Sequence, residues 1–526
     1  MTSQTEPASS GLTHKQILVI FSGLMLGMLL AALDQTIVST ALPTIVGDLH
    51  GLDHISWVVT AYLLTSTASA PLYGKLSDLY GRRPIFQAAI SIFLIGSILS
   101  GISQTMGQLI AFRAVQGLGA GGLMTLALII VGDVVSPRER GRYQGYFGGV
   151  FAISSVGGPL LGGFFVDNLS WRWVFYINIP LGLLALVVTS IVLRLPFTRR
   201  DHAVDYVGAG LMVSGVTALL LVTVWGGSQY AWGSGTIIGL AVVGLALSAA
   251  FIWWEHRVAE PILPPYLFGL GVFRVSTSVI FVVGFALFGT IIYLSVYLQI
   301  FHDVSPTKSG LLLTPLMGGI LLASVFSGRM VSKSGKIKLF PVLGTALLTV
   351  GMTLLAQLGA NTSLVLAAIY MLITGAGVGM VMQNLTLAVQ NAVPRTEMGA
   401  ATSSVAFFRS LGGSFGTAVF GAILFSRLDA NLASRLPVEG RPKGDLHQLI
   451  QSPTVIRHLP SAIRTPVVSS FIDAMHVVFY AGAAVCALAF LISLFLKEST
   501  LRTTSAMSPG NSEPGAEPAM SSGMMD

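Results

Sequence analysis

The sequence predicts an all-α polytopic membrane protein with fourteen transmembrane helices. Of its 526 residues, 53% are hydrophobic and only 10% are charged, and the mean hydropathy is +0.78. A water-soluble domain of this length needs a larger charged fraction to solvate its surface. Long apolar runs recur along the chain, and a run of about 18 apolar residues is enough to cross a bilayer as a helix. This composition therefore indicates that most of the chain lies in a lipid bilayer.

Fourteen apolar runs are candidate spans, arranged as a group of six, a pair and a second group of six. In order they are, approximately, Gln16 to Leu42, Trp57 to Leu76, Pro84 to Ile102, Met106 to Val131, Gly145 to Val166, Val174 to Leu193, Val207 to Val224, Thr236 to Trp254, Val275 to Phe301, Gly310 to Met330, Leu339 to Leu358, Leu364 to Met382, Ala400 to Phe425 and Phe471 to Leu496.

The basic residues predict the orientation of the chain. Lysines and arginines fall mainly on alternate loops that share one side with both termini, and the short loops opposite hold little beyond Arg172 and Lys308. Cytoplasmic loops carry the excess of Lys and Arg, so both termini are predicted to be cytoplasmic. We expect a multi-pass protein of the bacterial inner (plasma) membrane. The net charge of +7 is explained by these loops, and no nucleic-acid partner is expected.

An internal repeat divides the chain into two halves. GKLSDLYGRR at Gly74 returns in weakened form as GRMVSKSGKI at Gly328, and GLGAGGLM at Gly117 returns as GAGVGMVM at Gly375. The two shifts, 254 and 258 residues, are nearly equal. Two six-helix halves with a site between them at the midplane are a transporter architecture.

The predicted domains follow from this repeat. They are an N-terminal six-helix bundle over residues 1–200, two additional helices over 201–258, a C-terminal six-helix bundle over 259–500 that includes a long extracytoplasmic loop at 427–470, and a disordered cytoplasmic tail over 501–526. The tail is rich in Ser, Pro, Gly and Met, a composition typical of disorder.

Several motifs in these spans resemble the major facilitator superfamily, and within it the fourteen-helix drug:proton antiporters of the EmrB/QacA type. The first span carries LDQTIVSTALP, the fourth carries LIAFRAVQGLGAG, and the loop after the second span carries GKLSDLYGRR, with Leu79 at a position where the family has a basic residue. The resemblance implies a major facilitator fold with two pseudo-symmetric bundles and two inserted helices.

The loop motif and its surroundings are the predicted cytoplasmic gate. A charge network at this position can hold the gate in one conformation and release it in another. Simple positive-inside anchoring is an alternative, and both roles are compatible. The gate residues are Gly74, Asp78, Gly81, Arg82, Arg83, Asp133 and Arg140.

The fifth span matches the family's antiporter motif, except that Ser154 replaces one glycine. Small residues four apart let a neighbouring helix approach closely, and a proline permits a bend. Ordinary membrane-helix packing is the alternative reading, while the resemblance implies a role in suppressing proton leak. The motif residues are Gly145, Gly158, Pro159, Gly162 and Gly163.

Asp34 is a carboxylate inside the first apolar run, and it is the predicted proton carrier. A charged residue at the bilayer centre costs roughly 2.5 to 3.5 kcal/mol, which usually marks a pathway or relay. Arg113 is its expected partner, because the resemblance implies that the fourth span packs near the first, and Gln116 lies one turn further along the same helix face. Burial favours the neutral carboxyl and a guanidinium favours the charged one, so a changing distance would move a proton. A permanent pair that only fixes packing is the alternative.

Substrate contacts are predicted at four polar or aromatic positions, Tyr62, Tyr293, Gln383 and Asn384. We expect a monomeric transporter whose partners are a small-molecule substrate, protons and the lipid bilayer. The sequence contains one cysteine and no metal-ligand spacing, so neither a cofactor nor a metal is expected, and the proton gradient is the expected drive.

The function predicted from these features is proton-coupled export of small amphipathic or cationic compounds, that is, multidrug efflux. An importer or exporter of a specific metabolite, lipid or siderophore is the alternative, although the first span lacks the E-x-x-E-R pattern that the resemblance implies for peptide symporters. An enzyme is not expected, because the sequence has no nucleotide loop, metal cluster or nucleophile elbow.

Overall fold

The computed structural model describes residues 14–49, 55–135, 137–193, 205–227, 229–302, 304, 306–359, 362–394, 397–435, 461–498 and 501. These residues are almost entirely helical. In chain order the helices are α1 (His14–Leu49), α2 (Ile55–Tyr80), α3 (Arg82–Ile102), α4 (Met106–Val134), α5 (Pro137–Asn168), α6 (Trp173–Tyr176), α7 (Asn178–Val192), α8 (Tyr206–Trp225), α9 (Gly235–Glu255), α10 (Gly271–Phe301), α11 (Pro306–Leu312), α12 (Thr314–Ser334), α13 (Leu339–Leu355), α14 (Leu364–Ala392), α15 (Met398–Arg435) and α16 (Ser461–Leu494).

Twelve segments of the described chain are long and apolar enough to cross a membrane, counting α6 with α7 and α11 with α12. The all-helical, membrane-spanning class is thereby confirmed. The other two predicted spans correspond to α2, with 26 residues, and to α13, whose 17 residues make a shorter apolar helix. The count of fourteen spans stays a prediction.

Polar caps begin several of these apolar helices, because the first backbone N–H groups of a helix have no partner within it. The side chains of Thr105, Ser234 and Ser363 accept hydrogen bonds from the first turns of α4, α9 and α14. Gly81 separates α2 from α3 with a φ of 93°, a backbone conformation that glycine adopts without strain. This glycine makes the sharp turn at which the gate motif lies.

The helix pairs that pack in the first half of the chain have counterparts in the second half. In the first half, α1 contacts α4, α5 and α7, while α3 contacts α4 and α7, and α2 contacts α4. In the second half, α10 contacts α14, α15 and α16, while α13 contacts α14 and α16, and α12 contacts α14. The two sets of six helices therefore have the same internal arrangement.

The repeated glycines produce this shared arrangement, because each lies where a neighbouring helix approaches too closely for a side chain. A Cβ at any of them would lie less than 3 Å from backbone atoms of the facing helix. The contacts are Gly117 with Tyr62, Gly375 with Leu316, Gly119 with Phe93 and Gly377 with Leu348. The paired contacts are separated by the same shift as the sequence repeat.

The halves meet through α5 with α12 and α14, and through α2 and α4 with α15. The inserted helices α8 and α9 pack on each other, and α8 contacts both α2 and α15. The predicted loop 427–470 is helical at both ends, since α15 continues to Arg435 and α16 begins at Ser461. Residues 436–460 of that loop, and the predicted tail except Leu501, lie outside the described residues.

Candidate functional site

Asp34 and Arg113 form a buried ion pair between α1 and α4. Asp34 has no exposed surface, and Arg113 is 1% exposed. Arg113 donates from Nη1 to Oδ2 of Asp34 at 2.6 Å. The sequence prediction that these two residues meet is correct.

Gln116 closes a triangle with this pair. Its Oε1 accepts a hydrogen bond from Arg113 Nη1 at 2.7 Å, and its Nε2 donates to Asp34 Oδ1 at 2.8 Å. Three positions separate Gln116 from Arg113, so both side chains extend from one face of α4. Gln116 has no exposed surface, and it satisfies the oxygen of Asp34 that Arg113 does not contact.

Asn178 of α7 is a fourth member that the sequence prediction missed. It donates from Nδ2 to Asp34 Oδ1 at 3.3 Å and to Ser97 Oγ at 3.0 Å. Its own Oδ1 is buried and has no hydrogen-bond partner among the described residues. The sequence contains one signal for it, because Asn178 is an amide side chain at the start of the apolar stretch NIPLGLLALVV.

Tyr62 of α2 covers the guanidinium of this cluster. The Arg113 Cζ atom lies 4.2 Å from the centre of the Tyr62 ring, and the Tyr62 hydroxyl donates to the Ala31 carbonyl at 3.2 Å. Arg113 also donates from Nε to the Val58 carbonyl at 3.3 Å. Tyr62, predicted as a substrate contact, is thus part of the wall that encloses the ion pair.

Three side-chain donors from two other helices contact the carboxyl oxygens of Asp34, namely Arg113 and Gln116 of α4 and Asn178 of α7. A buried carboxyl group loses much of its stabilisation if one of these donors moves away. The environment of Asp34 therefore depends on the relative positions of α1, α4 and α7.

A second charge network lies where α2 meets α3. Arg82 donates from Nε to Asp133 Oδ2 at 2.7 Å, and its Nη1 lies 2.5 Å from Asp78 Oδ1. Nη1 also donates to the Ser77 hydroxyl at 2.6 Å. One guanidinium thus joins the ends of α2 and α4, and the predicted contact of Asp78, Arg82 and Asp133 is present.

The same end of the bundle brings the two halves together. A Cβ on Gly74 of α2 would lie 2.7 Å from the carbonyl oxygen of Gly399 in α15, so the two helices touch through backbone. Lys75 forms a 2.6 Å ion pair with Glu260, in the segment between α9 and α10. We call this end, with Gly74, Arg82 and Gly399, the gate end. In this conformation α2 and α15 are in contact there.

Two predicted gate residues lie outside the Arg82 network. Arg83 donates to the Ser190 carbonyl of α7 at 2.7 Å. Arg140 is 2% exposed and donates to the backbone carbonyls of Val135, at 2.9 Å, and Gly132. Arg140 therefore contacts the turn between α4 and α5, which places it at the gate end through backbone contacts.

A family model described as Major Facilitator Superfamily matches residues 24–417, which include the charge cluster, the gate end and most of both halves. The chain belongs to the major facilitator superfamily.

Relatives within the superfamily are similar to this chain over nearly its full length. An uncharacterised MFS-type transporter of Mycobacterium tuberculosis is 41% identical over 92% of this chain and 70% of its own length. The multidrug transporter protein MdtP of Bacillus subtilis is 37% identical over 97% of this chain and 98% of its own. The solved proton:xylose symporter XylE shares the fold, with a TM-score of 0.62 and 14% identity over 93% of this chain and 98% of that one.

These findings identify a multi-pass membrane transporter whose relatives include proteins named as multidrug transporters. Members of the superfamily carry small-molecule substrates across the lipid bilayer in which they lie.

The fifth-span motif of this major facilitator protein lies against α1. A Cβ on Gly158 would meet Thr36 and Ile37, and a Cβ on Gly162 would lie 3.0 Å from the Ile37 carbonyl oxygen. The hydroxyl of Thr36 donates to the Ser154 carbonyl at 2.9 Å, within the same contact. Gly158 and Gly162 thus let α5 touch the helix that carries Asp34.

The other motif residues take different positions. Pro159 lies inside α5, and the helix continues beyond this proline to Asn168. A Cβ on Gly310 of α11 would lie 3.5 Å from the Pro159 ring. A Cβ on Gly163 would meet no atom within 4 Å. Gly145 lies in the first third of α5. Close packing therefore explains part of this motif, and its role in proton leak stays a prediction.

The remaining predicted substrate residues belong to the second half. Tyr293 of α10 donates to the Thr417 carbonyl at 3.0 Å. Asn384 of α14 is fully buried and donates to Ser327 at 3.0 Å and to the Met380 carbonyl at 2.7 Å. Gln383, its neighbour, is partly buried, and no hydrogen bond of its side chain is present among the described residues. Of these three, Gln383 has the side chain that is free to contact a substrate.

Proposed function

We propose that this transporter is a proton-coupled antiporter that exports small amphipathic compounds, including cationic ones, across the bacterial inner membrane. The proposal includes fourteen spans, cytoplasmic termini and a monomeric transport unit. One observation carries it, the fully buried Asp34 held by Arg113, Gln116 and Asn178. Names of relatives such as multidrug resistance protein 3 of Bacillus subtilis agree with export.

In the proposed cycle, Asp34 exchanges a proton when α1 moves relative to α4. Protons enter from the side where the carboxyl becomes accessible, and the return of Arg113 displaces them on the other side. Substrate and proton then use alternate conformations of the same two halves. One charge that crosses 100 mV supplies about 2.3 kcal/mol, which is enough to concentrate a substrate severalfold.

The gate end would be the cytoplasmic gate of this cycle. The α2–α15 contact, where a Cβ on Gly399 would meet the carboxylate of Asp78, holds the halves together on that side, and Arg82 fixes Asp78 and Asp133 beside it. Opening toward the cytoplasm requires these contacts to break, so the gate is a two-state element of the kind that alternating access needs.

Substitution of Asp34 tests the proposal. In proteoliposomes with an imposed pH gradient, Asp34→Asn should reduce uptake of a fluorescent cation such as rhodamine 6G to less than about a tenth, because the variant cannot exchange a proton. Exchange of labelled for unlabelled dye without a gradient should persist, because it needs no proton. Asp167→Asn is the matched control, since Asp167 is an exposed carboxylate on α5. Undiminished pH-driven transport by Asp34→Asn would refute the coupling role.

A further inference from the structure

Arg409 of α15 is a cation without a partner in the part of the chain that the structure describes. Among the described residues, its guanidinium makes no hydrogen bond, ion pair or ring contact. The residue is partly buried, and its guanidinium nitrogens are not completely enclosed by other atoms. Three acids of the helices are engaged elsewhere, Asp34 by Arg113, and Asp78 and Asp133 by Arg82. An anionic partner for Arg409 must therefore come from outside these groups.

Arg409 lies deep in its helix. Met398 begins α15 at the gate end, and Arg409 follows about 16 Å further along at 1.5 Å per residue. The hydrocarbon core of a bilayer is about 30 Å thick, so this depth is close to its middle. Arginine at such a depth almost always faces a bundle interior or a water-filled cavity, and it marks a substrate or ion pathway.

The contacts of its neighbours show which side of α15 carries Arg409. Thr402, seven positions earlier, hydrogen-bonds Gln390 of α14 at 3.3 Å, and Gly413, four positions later, lies against Phe288 of α10. Positions four and seven apart share one helix face. Phe407 lies on the opposite side, in the apolar cluster with α8. Arg409 therefore faces α10 and α14, away from the inserted helices.

Gln383 of α14 lies at the same depth as Arg409. Gln390 and Thr402 mark where α14 and α15 touch, and Gln390 also donates to the Leu128 carbonyl of α4 in the first half. Gln383 precedes Gln390 by seven residues, and Arg409 follows Thr402 by seven. Because α14 runs toward the gate end and α15 runs away from it, both side chains lie about 10 Å deeper than that contact. A guanidinium and a carboxamide, both without a hydrogen-bond partner among the described residues, thus lie at one depth on neighbouring helices of the second half.

We propose that Arg409 and Gln383 form a binding site for an oxyanion carried by the substrate. A guanidinium binds a carboxylate, sulfonate or phosphate through two parallel hydrogen bonds, and a carboxamide supplies a further donor. The preferred substrates are then amphipathic acids or zwitterions. This inference rests on the proposed export function, and it narrows the substrate class of the same pathway.

The experiment compares a dye that has a free carboxylate with the ester of the same dye, in which the carboxylate is blocked. Rhodamine B and its ethyl ester are transported into phosphatidylcholine proteoliposomes under an imposed pH gradient. Arg409→Gln should raise the KM for rhodamine B about tenfold or more, because a charge-assisted hydrogen bond is lost. The KM for the ester should change less than about twofold, since the ester has no anionic group. Gln383→Ala should show the same selectivity with a smaller effect.

Matched variants separate charge from structure. Arg427→Gln removes an exposed arginine from the same helix and should leave both KM values unchanged. Arg409→Lys keeps the charge without the planar fork and should bind the acid between wild type and Arg409→Gln. Equal losses for acid and ester in Arg409→Gln would overturn the proposal and make Arg409 a structural residue, and so would an unchanged KM for the acid.

Two further arms give a result in every case. If the wild type transports neither dye, the proposed export function is wrong. Binding of rhodamine B to the protein in nanodiscs, measured by fluorescence anisotropy, then tests the oxyanion site: weaker binding by Arg409→Gln supports the site, and equal binding overturns it.

A phosphate of a lipid headgroup is the other source of the oxyanion. If phosphatidylglycerol raises the KM for rhodamine B in the wild type and leaves that of Arg409→Gln unchanged, a lipid occupies the site and the substrate assignment falls.

Discussion

The two halves of this transporter have the same helix packing and different buried polar groups. A Cβ on Gly96 of α3 would meet the backbone of Gln116 in α4, and a Cβ on Gly351 of α13 would meet that of Thr374 in α14. Thr374 is therefore the counterpart of Gln116, and the buried Met371, three residues earlier, is the counterpart of Arg113. The second half achieves the same arrangement without the ion pair.

This difference bears on why the ion pair exists. If Asp34 and Arg113 were needed to hold α1 against α4, a half that replaces the arginine with methionine would pack differently. The glycines at both positions are sufficient for close approach, because they remove the side chains that would keep the helices apart. The charges of the first half are therefore not required for this packing, which agrees with the proposed role of Asp34 in proton coupling.

Removal of Arg113 has the largest expected effect on this comparison. Arg113→Ala leaves a buried carboxylate without its main donor, which costs about 3 to 5 kcal/mol, and transport per folded molecule should be lost. Arg113→Lys should recover little, because the guanidinium donates from Nη1 to Asp34 and Gln116 and also from Nε to the Val58 carbonyl, and one ammonium group does not replace both nitrogens. Met371→Ala in the second half should reduce the folded yield, as large-to-small core changes cost about 2 to 5 kcal/mol, while transport per molecule persists. Counterflow measures transport per folded molecule, and the yield of detergent-solubilised protein measures the folded fraction. Equal transport losses in both halves would make the pair a packing element.

Substitution of the packing glycines has the next largest effect, and it should be symmetric. Gly119→Val and Gly377→Val each place branched carbon against the backbone of the next helix, Phe93 or Leu348. Overpacking of this kind costs about 1 to 3 kcal/mol. Thermal unfolding in detergent should show similar losses for the two variants, and Gly163→Val, at an open position, is the control. A loss confined to one half would mean that the repeated glycines have different structural roles.

The gate end supplies the smallest expected effect. Asp78 contacts Arg82, whereas its counterpart in the repeat, Ser332, donates a hydrogen bond within its own helix to the Gly328 carbonyl at 2.9 Å. Asp78→Asn should weaken closure of the gate end and slow export severalfold, because a partly exposed ion pair stabilises the closed state by about 1 kcal/mol. Ser332→Ala should have little effect. Initial rates of pH-driven uptake test both, and an effect of Ser332→Ala as large as that of Asp78→Asn would mean that both halves gate equally.

Sequence reasoning predicted the helices and the central ion pair for a simple reason. A charge inside a long apolar run is conspicuous, and Arg113 and Gln116 are at helical spacing, while the resemblance to the family supplied the packing of the fourth span near the first. The twelve membrane-crossing segments follow from apolar length alone. The signal is weaker in two helices, because serine and threonine lower the hydropathy of α2 and because α13 is short.

Other site residues depend on tertiary contacts that the sequence does not specify. Asn178 is an uncharged amide near a helix start, a position where amides are common, and its partners Asp34 and Ser97 lie on other helices. Arg140 was expected in the charge network, but the turn after α4 presents backbone carbonyls to it. Arg409 carries a clear signal, a cation in an apolar span, but the face on which it lies became known only from the contacts of Thr402 and Gly413.

The complete burial of Asp34 has an electrical consequence. Neither Asp34 nor Gln116 has any exposed surface, and Tyr62 covers Arg113. In this conformation both side chains are closed to solvent, so the proposed coupling site has no contact with either side of the membrane. If this carboxyl were open to both sides at once, protons would cross without moving any substrate, and each would dissipate about 2.3 kcal/mol at 100 mV. In the proposed cycle, the side chains that enclose Asp34 therefore preserve the proton gradient of the cell as well as the cycle of one molecule.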